Sequence, residues 1–308
     1  MHIRNITRQV LSVASLAVAA AASTPSVHAL TIEFDYSLDT GFFDDPERRE
    51  RLEQAASFFE MFSDTLSPIQ TGGGDTWEIA FNNPSNLGQF AVVENRNVAS
   101  DTVVIYVGAS AFNALGFATN GTLLNVEGTA AFQDALLTRG QENTEGPNAS
   151  DYGTWGGAIS FSSNPDWYFG ESADGLGANQ NDFLTTATHE IAHILGFGGA
   201  DSWFSQLVTD MAGNLVFEGA ASMSVFGGPV PTVSAAHWAE GTMSFFNGMP
   251  QETLMDPTTP AGVRQLMTLL DFAALSDIGW ESVPVPLPAT AWLFLCALGA
   301  LGHTARRR

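Results

Sequence analysis

The chain has 308 residues, with 33 aspartates and glutamates against 11 arginines and no lysine, a formal charge of −22. That balance excludes nucleic-acid binding through phosphate neutralisation. Apolar residues make up 45% and charged residues only 14%, which excludes a disordered acidic tail and leaves a folded acidic domain.

In chain order, Arg4 and Arg8 precede an alanine-rich apolar run at 10–22, and Val27-His28-Ala29 supplies small residues at a cleavage site. The pattern predicts a secretory signal peptide over 1–29, cut after Ala29. The run has no polar face to expose, which argues against a first helix of the domain. The domain itself is expected over 30–283. Residues 31–36 alternate Ile32, Phe34 and Tyr36 with polar partners and predict a half-buried opening strand. Asp45-Pro46 then predicts a helix start, with Leu52, Ala55, Ala56, Phe59 and Phe62 on one face and 47–53 as its solvated side. Gly72-Gly73-Gly74-Asp75 predicts a turn and not a phosphate loop. Strands are predicted at 77–81 and 102–107, the second a nearly continuous apolar run of the kind buried inside a sheet. Residues 118–152 are expected to be loops around one helix at 130–138, and 158–163 alternates as a strand.

The stretch TTATHEIAHILGFG at 185–198 carries the chemistry. On a helix, His189 and His193 are one turn apart on one face and can present two imidazole nitrogens to one ion. Glu190 can reach a water on the open side of that ion, and Gly196 suits the helix end. Of the six histidines, His2 and His28 fall in the signal peptide and His303 in the C-terminal tail, so the domain keeps His189, His193 and His237. A catalytic zinc commonly takes three protein ligands and a water. His237 is the better third ligand. Asp201 is a possible carboxylate substitute, and Glu218, Glu240 and Glu252 remain open as well.

HExxHxxGF, a distant His237-Trp238, and Met255 in Leu254-Met255-Asp256-Pro257 before a last helix together resemble the leishmanolysin-type branch of the metzincin zinc proteases, over roughly 155–280. One departure is Gly199, which stands where the commonest metzincin pattern has its third histidine. The resemblance implies an α+β fold: a mixed twisted sheet with an active-site helix, and a C-terminal subdomain with the methionine turn and final helix. It further implies zinc on His189, His193 and His237, Glu190 as general base, Met255 packed beneath the site, and a protein or peptide substrate. By the same comparison Gly157, Ala158 and Ile159 could offer a strand edge to the substrate, or form an ordinary buried strand. Structural calcium is possible but unsupported: neither Asn164-Pro165-Asp166 nor 174–182 has the spacing of a calcium loop.

The chain closes with an extended Val283-Pro284-Val285-Pro286-Leu287-Pro288 spacer, a short apolar run at 289–302, and Arg306-Arg307-Arg308. This ending resembles the VPLPA variant of the PEP-CTERM sorting signal. It implies an exosortase partner over 284–308, transient anchoring in the inner membrane of a Gram-negative bacterium, and release to the surface, matrix or medium. Cys296, the sole cysteine, lies in that tail, so the domain is expected to be stable on its core without disulfides. Without its two ends the chain carries six arginines against 33 acids, −27. The expected function is therefore an exported zinc endopeptidase. The alternative is an inactive, zinc-stabilised surface or matrix protein.

Overall fold

The computed structural model describes residues 29–282, so the predicted sorting tail (284–308) and all of the signal peptide but Ala29 lie outside the described residues. The fold is α+β. No helix among the described residues is long and apolar enough to cross a membrane.

The first half of the domain contains β1 (Thr31–Asp35), α1 (Pro46–Ser57), β2 (Phe62–Ser63), β3 (Thr76–Asn83), β4 (Asn86–Glu94), β5 (Thr102–Ser110), β6 (Gly116–Thr119), β7 (Thr122–Glu127), α2 (Ala130–Leu137) and β8 (Gly156–Ser162). Its central sheet has the order β1-β5-β8-β6, with β6 alone antiparallel. Val103, Ile105, Val107, Ile159 and Phe161 point to the face that buries Leu52 and Ala55 of α1 and the apolar side of the histidine helix. Val104, Tyr106 and Ala158 point to the opposite face, where a second sheet (β4-β3-β7) brings Trp77, Ile79 and Phe81 and α2 brings Phe132 and Leu136. Burial on both faces is why the 102–107 run is almost continuously apolar. Strand β8 is likewise buried along its whole length, so the alternation at 158–163 does not mark one wet face.

Asp45 caps α1 through the Glu47 N–H, with Pro46 in the first turn. Its expected solvated side holds one exception. Arg51 is buried and donates to Phe169 O at 2.7 Å. The Gly72–Asp75 turn closes as a β-bridge. Residues 118–152 contain the predicted helix but also the end of β6 and all of β7. The Asn120-Gly121 pair makes the corner between them, and because β6 and β7 join different sheets the pair does not read as a hairpin.

Beyond β8 come β9 (Trp167–Tyr168) and β10 (Asn181–Asp182), which pair in parallel, then α3 (Phe183–Ile194) and α4 (Asp201–Phe204). A four-stranded antiparallel sheet follows: β11 (Leu207–Thr209), β12 (Leu215–Phe217), β13 (Val230–Val233) and β14 (His237–Trp238), with α5 (Ala220–Phe226) inserted. The hairpin β15 (Met243–Phe246) and β16 (Met249–Glu252) turns at Asn247-Gly248, and α6 (Leu269–Asp277) leads to β17 (Glu281–Ser282).

The two ends of the described chain meet on β2. Leu30 N–H donates to Phe62 O, and β17 pairs with β2. Beside this junction Asp64 is held with its Oδ2 unpartnered among the described residues. Burial, and then the charges of Asp151, Glu281 and Asp101, push its carboxyl up to about 8. A folded-state pKa above the unfolded value of about 4 means the native state holds this proton longer, so its contribution to stability falls as pH rises through that window. Asp64→Asn imitates the protonated form. Its Tm should exceed the wild type's by a margin that widens from pH 5 to pH 8; a margin independent of pH would refute the assignment.

Candidate metal centre

The histidine helix is fixed at both ends. Asp182 caps α3 by accepting from Thr185 N–H and Oγ1–H, and Arg264 grips the same buried carboxylate with Nε at 2.9 Å and Nη2 at 2.7 Å. At the other end Gly196 adopts φ +97°, which favours glycine. Gly196 N–H donates to His193 O and Phe197 N–H to Ala192 O, the Schellman pattern. The remaining carbonyls of Ile194 and Leu195 accept from Asn120 and Tyr152, and from Trp280, respectively.

This turn folds Phe197 O back onto the helix, where it accepts from His193 Nδ1–H at 2.8 Å; Leu254 O accepts from His189 Nδ1–H at 2.9 Å. A carbonyl can only accept, so both Nδ1 atoms carry the proton and both Nε2 atoms of the neutral rings are bare lone pairs. Those two Nε2 atoms are 3.1 Å apart, and His237 Nε2 lies 3.1 Å from His193 and 3.2 Å from His189. His237 could bridge with at most one proton, and the His189–His193 side has none. The lone pairs of His189 and His193 therefore face each other at 3.1 Å and repel unless a cation lies between them. A tetrahedral zinc about 2.0–2.1 Å from each nitrogen separates them by about 3.3 Å, so the donor set fits such an ion.

Electrostatics agree with the geometry. Burial holds His189 well below the ordinary histidine range, with the neighbouring His193 and His237 adding to it. Burial and His237 bring His193 down to about 4, and burial lowers His237. Neutral rings are the form that binds a metal.

His237 stands on β14, 44 residues beyond His193, and is placed by its neighbour. Trp238 packs against Phe197, Trp203 and Phe217, and its N–H donates to Met255 O at 3.0 Å. Met255 is fully buried; its backbone joins Trp238 to the Leu254 carbonyl that orients His189. His237 Nδ1 has no partner among the described residues, so β14 and Trp238 set that ring. Asp271 on α6 organises this layer. It is fully buried and accepts from Trp238 Nε1, Leu254 N, Met255 N, Thr268 N and Thr268 Oγ1 at 2.8–3.2 Å. Burial still pushes its carboxyl above the usual range.

Glu190 is 7% exposed, and burial pushes its carboxyl up to about 8, opposed by the nearby backbone of Ala118. With the three histidines it lines a cleft of about 630 Å³, walled by Asn113–Ala118 on one side and by Gly198, Gly199, Ala236 and Asp256–Thr259 on the other. No arginine lines it.

Several expectations change. The edge suggested for Gly157, Ala158 and Ile159 is not free, because β8 pairs with β5 on one side and β6 on the other. The free edge belongs to β6. Ser162 N–H donates to Leu115 O, so by antiparallel alternation Phe117 and Thr119 face β8, while Gly116 and Ala118 turn their N–H and C=O outward. Asp201 is exposed on α4 and accepts from Gly146 N–H; it does not reach the histidines, and neither does Glu218. Glu240 and Glu252 group instead with buried Asp256, which accepts from Gly241 and Thr258 N–H. The calcium expectation finds no matching cluster among the described residues: Asp182 is held by Arg264, and Asp166 accepts from Gln180.

The β6 edge, Asp271 and Arg264 were not found by reading the sequence. A Gly-Phe-Ala-Thr strand ahead of Asn120-Gly121 was the one local signal for the edge. No protein-family model, curated protein or solved structure matches the chain.

Proposed function

We propose that this protein is an exported zinc-dependent endopeptidase of the metzincin type, with His189, His193 and His237 as ligands and Glu190 as general base. The observation that carries this reading is the convergence of three histidine Nε2 atoms at 3.1–3.2 Å, two of them bare lone pairs, beside a buried glutamate. Zinc held there supplies carbonyl polarisation and lowers the pKa of bound water to about 7. A peptide lies along β6 as an added strand, bonded to the outward groups of Gly116 and Ala118. Glu190, on the same wall, takes the proton of the attacking water and returns it to the departing amine. Met255 and Asp271 hold the ligands from below and touch no substrate.

A zinc site serving stability alone has no use for a buried carboxylate beside the ligands, which favours the enzyme over an inactive, zinc-stabilised surface protein. The N-terminal signal and the C-terminal tail at 284–308 fit export and handling by an exosortase-type enzyme.

Metal analysis of the whole chain, paired with casein hydrolysis with and without a chelator, tests the proposal. Wild type should hold one zinc and lose activity on chelation. His237→Ala should lose both the metal and the activity; a variant that keeps both removes His237 from the site.

A further inference from the structure

Gly116 has no assigned role, yet it is the residue against which the Glu190 carboxyl lies. A Cβ built on Gly116 would overlap Glu190 Oε1, Cγ and Cδ. These are the three nearest heavy atoms to that position, and Gly116 shows no left-handed backbone angle. The backbone angles at this position therefore tolerate alanine, and the first obstacle a side chain meets is the carboxyl. Glu190 cannot easily yield. It projects from a helix clamped by Asp182–Arg264 at one end and by the Schellman turn at the other, and it is itself buried. The next outward-facing residue on β6 is Ala118, whose backbone favours the charged form of the same carboxyl. The bare edge at Gly116 thus forms a seat for the carboxyl.

We propose that Gly116 is a positioning residue: the absence of a side chain on the substrate-binding edge sets where the general base stands relative to the three histidines. This rests on the protease reading above, which makes Glu190 the base. A methyl group at 116 pushes the carboxyl away from the strand while leaving the ligands untouched. The same edge would then bind peptide as before but present it to a misplaced base.

The test is a double-mutant cycle of Gly116→Ala and Glu190→Ala in the whole chain, read in two ways. In zinc-loaded protein acting on casein, Gly116→Ala should lower kcat about 10²-fold, the cost of a misplacement of about 1 Å, with KM and zinc stoichiometry unchanged. In metal-free protein, Gly116→Ala should lower Tm by several degrees when Glu190 is present and not at all when Glu190→Ala has made room. Should Gly116→Ala fail to fold, Gly116→Ala/Glu190→Ala must fold. Equal Tm losses in both backgrounds, or a loss expressed in KM alone, overturn the proposal. Wild type inactive on casein counts against the protease reading only, because the stability cycle reports on the Gly116–Glu190 contact independently of turnover.

Discussion

If the proposed protease reading holds, Glu190→Gln should lower kcat on casein by about 10²–10⁴-fold, the range that a positioned general acid–base supplies, while zinc binding is kept. The amide has nearly the carboxyl's size and fits the same seat beside Gly116 and Ala118. It cannot accept the proton of the attacking water. Glu190 is absent from the donor set, since the three imidazole Nε2 atoms converge without it, so metal content is the control that separates lost chemistry from a lost site. Zinc stoichiometry by mass spectrometry and steady-state kinetics on the same preparation settle the point. Full activity in the variant would sink the assignment of the base, and zinc loss would make Glu190 a ligand.

Asp271→Ala destabilises the domain by at least about 3 kcal/mol, because a buried carboxylate with five donors is removed and four of its partners, the Trp238, Leu254, Met255 and Thr268 N–H groups, are stranded away from water. For a domain of this size that is a fall in Tm of about 6–12 °C. The effect extends to the metal. Leu254 O orients His189 and Met255 O holds Trp238 beside His237, so under the proposed zinc reading the affinity for the metal should fall about 10–100-fold, as when outer partners of ligands are lost. Thermal melts and chelator competition well below the Tm measure the two effects. A variant that melts lower but binds zinc as wild type does would confine Asp271 to the fold.

How far the sequence could be read depends on whether each signal is local. The opening strand, the α1 cap at Asp45, the apolar 102–107 strand, the 130–138 helix and the histidine helix all appear where short-range patterns place them, because cap chemistry and side-chain periodicity act within a few residues. Strand β4 was missed altogether; its exposed Phe90 and Val92 blur the alternation that would mark it. Strand β6 was missed because four residues beside a corner carry little pattern. That omission moved the expected substrate edge onto β8, one strand too far into the sheet.

What the sequence determined by itself was the site's inventory. The His189–Glu190–His193 spacing obliges two imidazoles to share a helix face, and removing the two ends of the chain leaves a domain of −27 with three histidines. What the tertiary structure decided was selection and aim. It brought His237 to 3.1–3.2 Å of the helix pair and left Asp201 and Glu218 outside. It also set the ring tautomers through two carbonyls, and gave the free edge to Gly116 and Ala118. Each depends on contacts between residues far apart in the chain, through Asp271, the Trp238 cluster and strand pairing, where no periodicity within one segment can report which atoms meet.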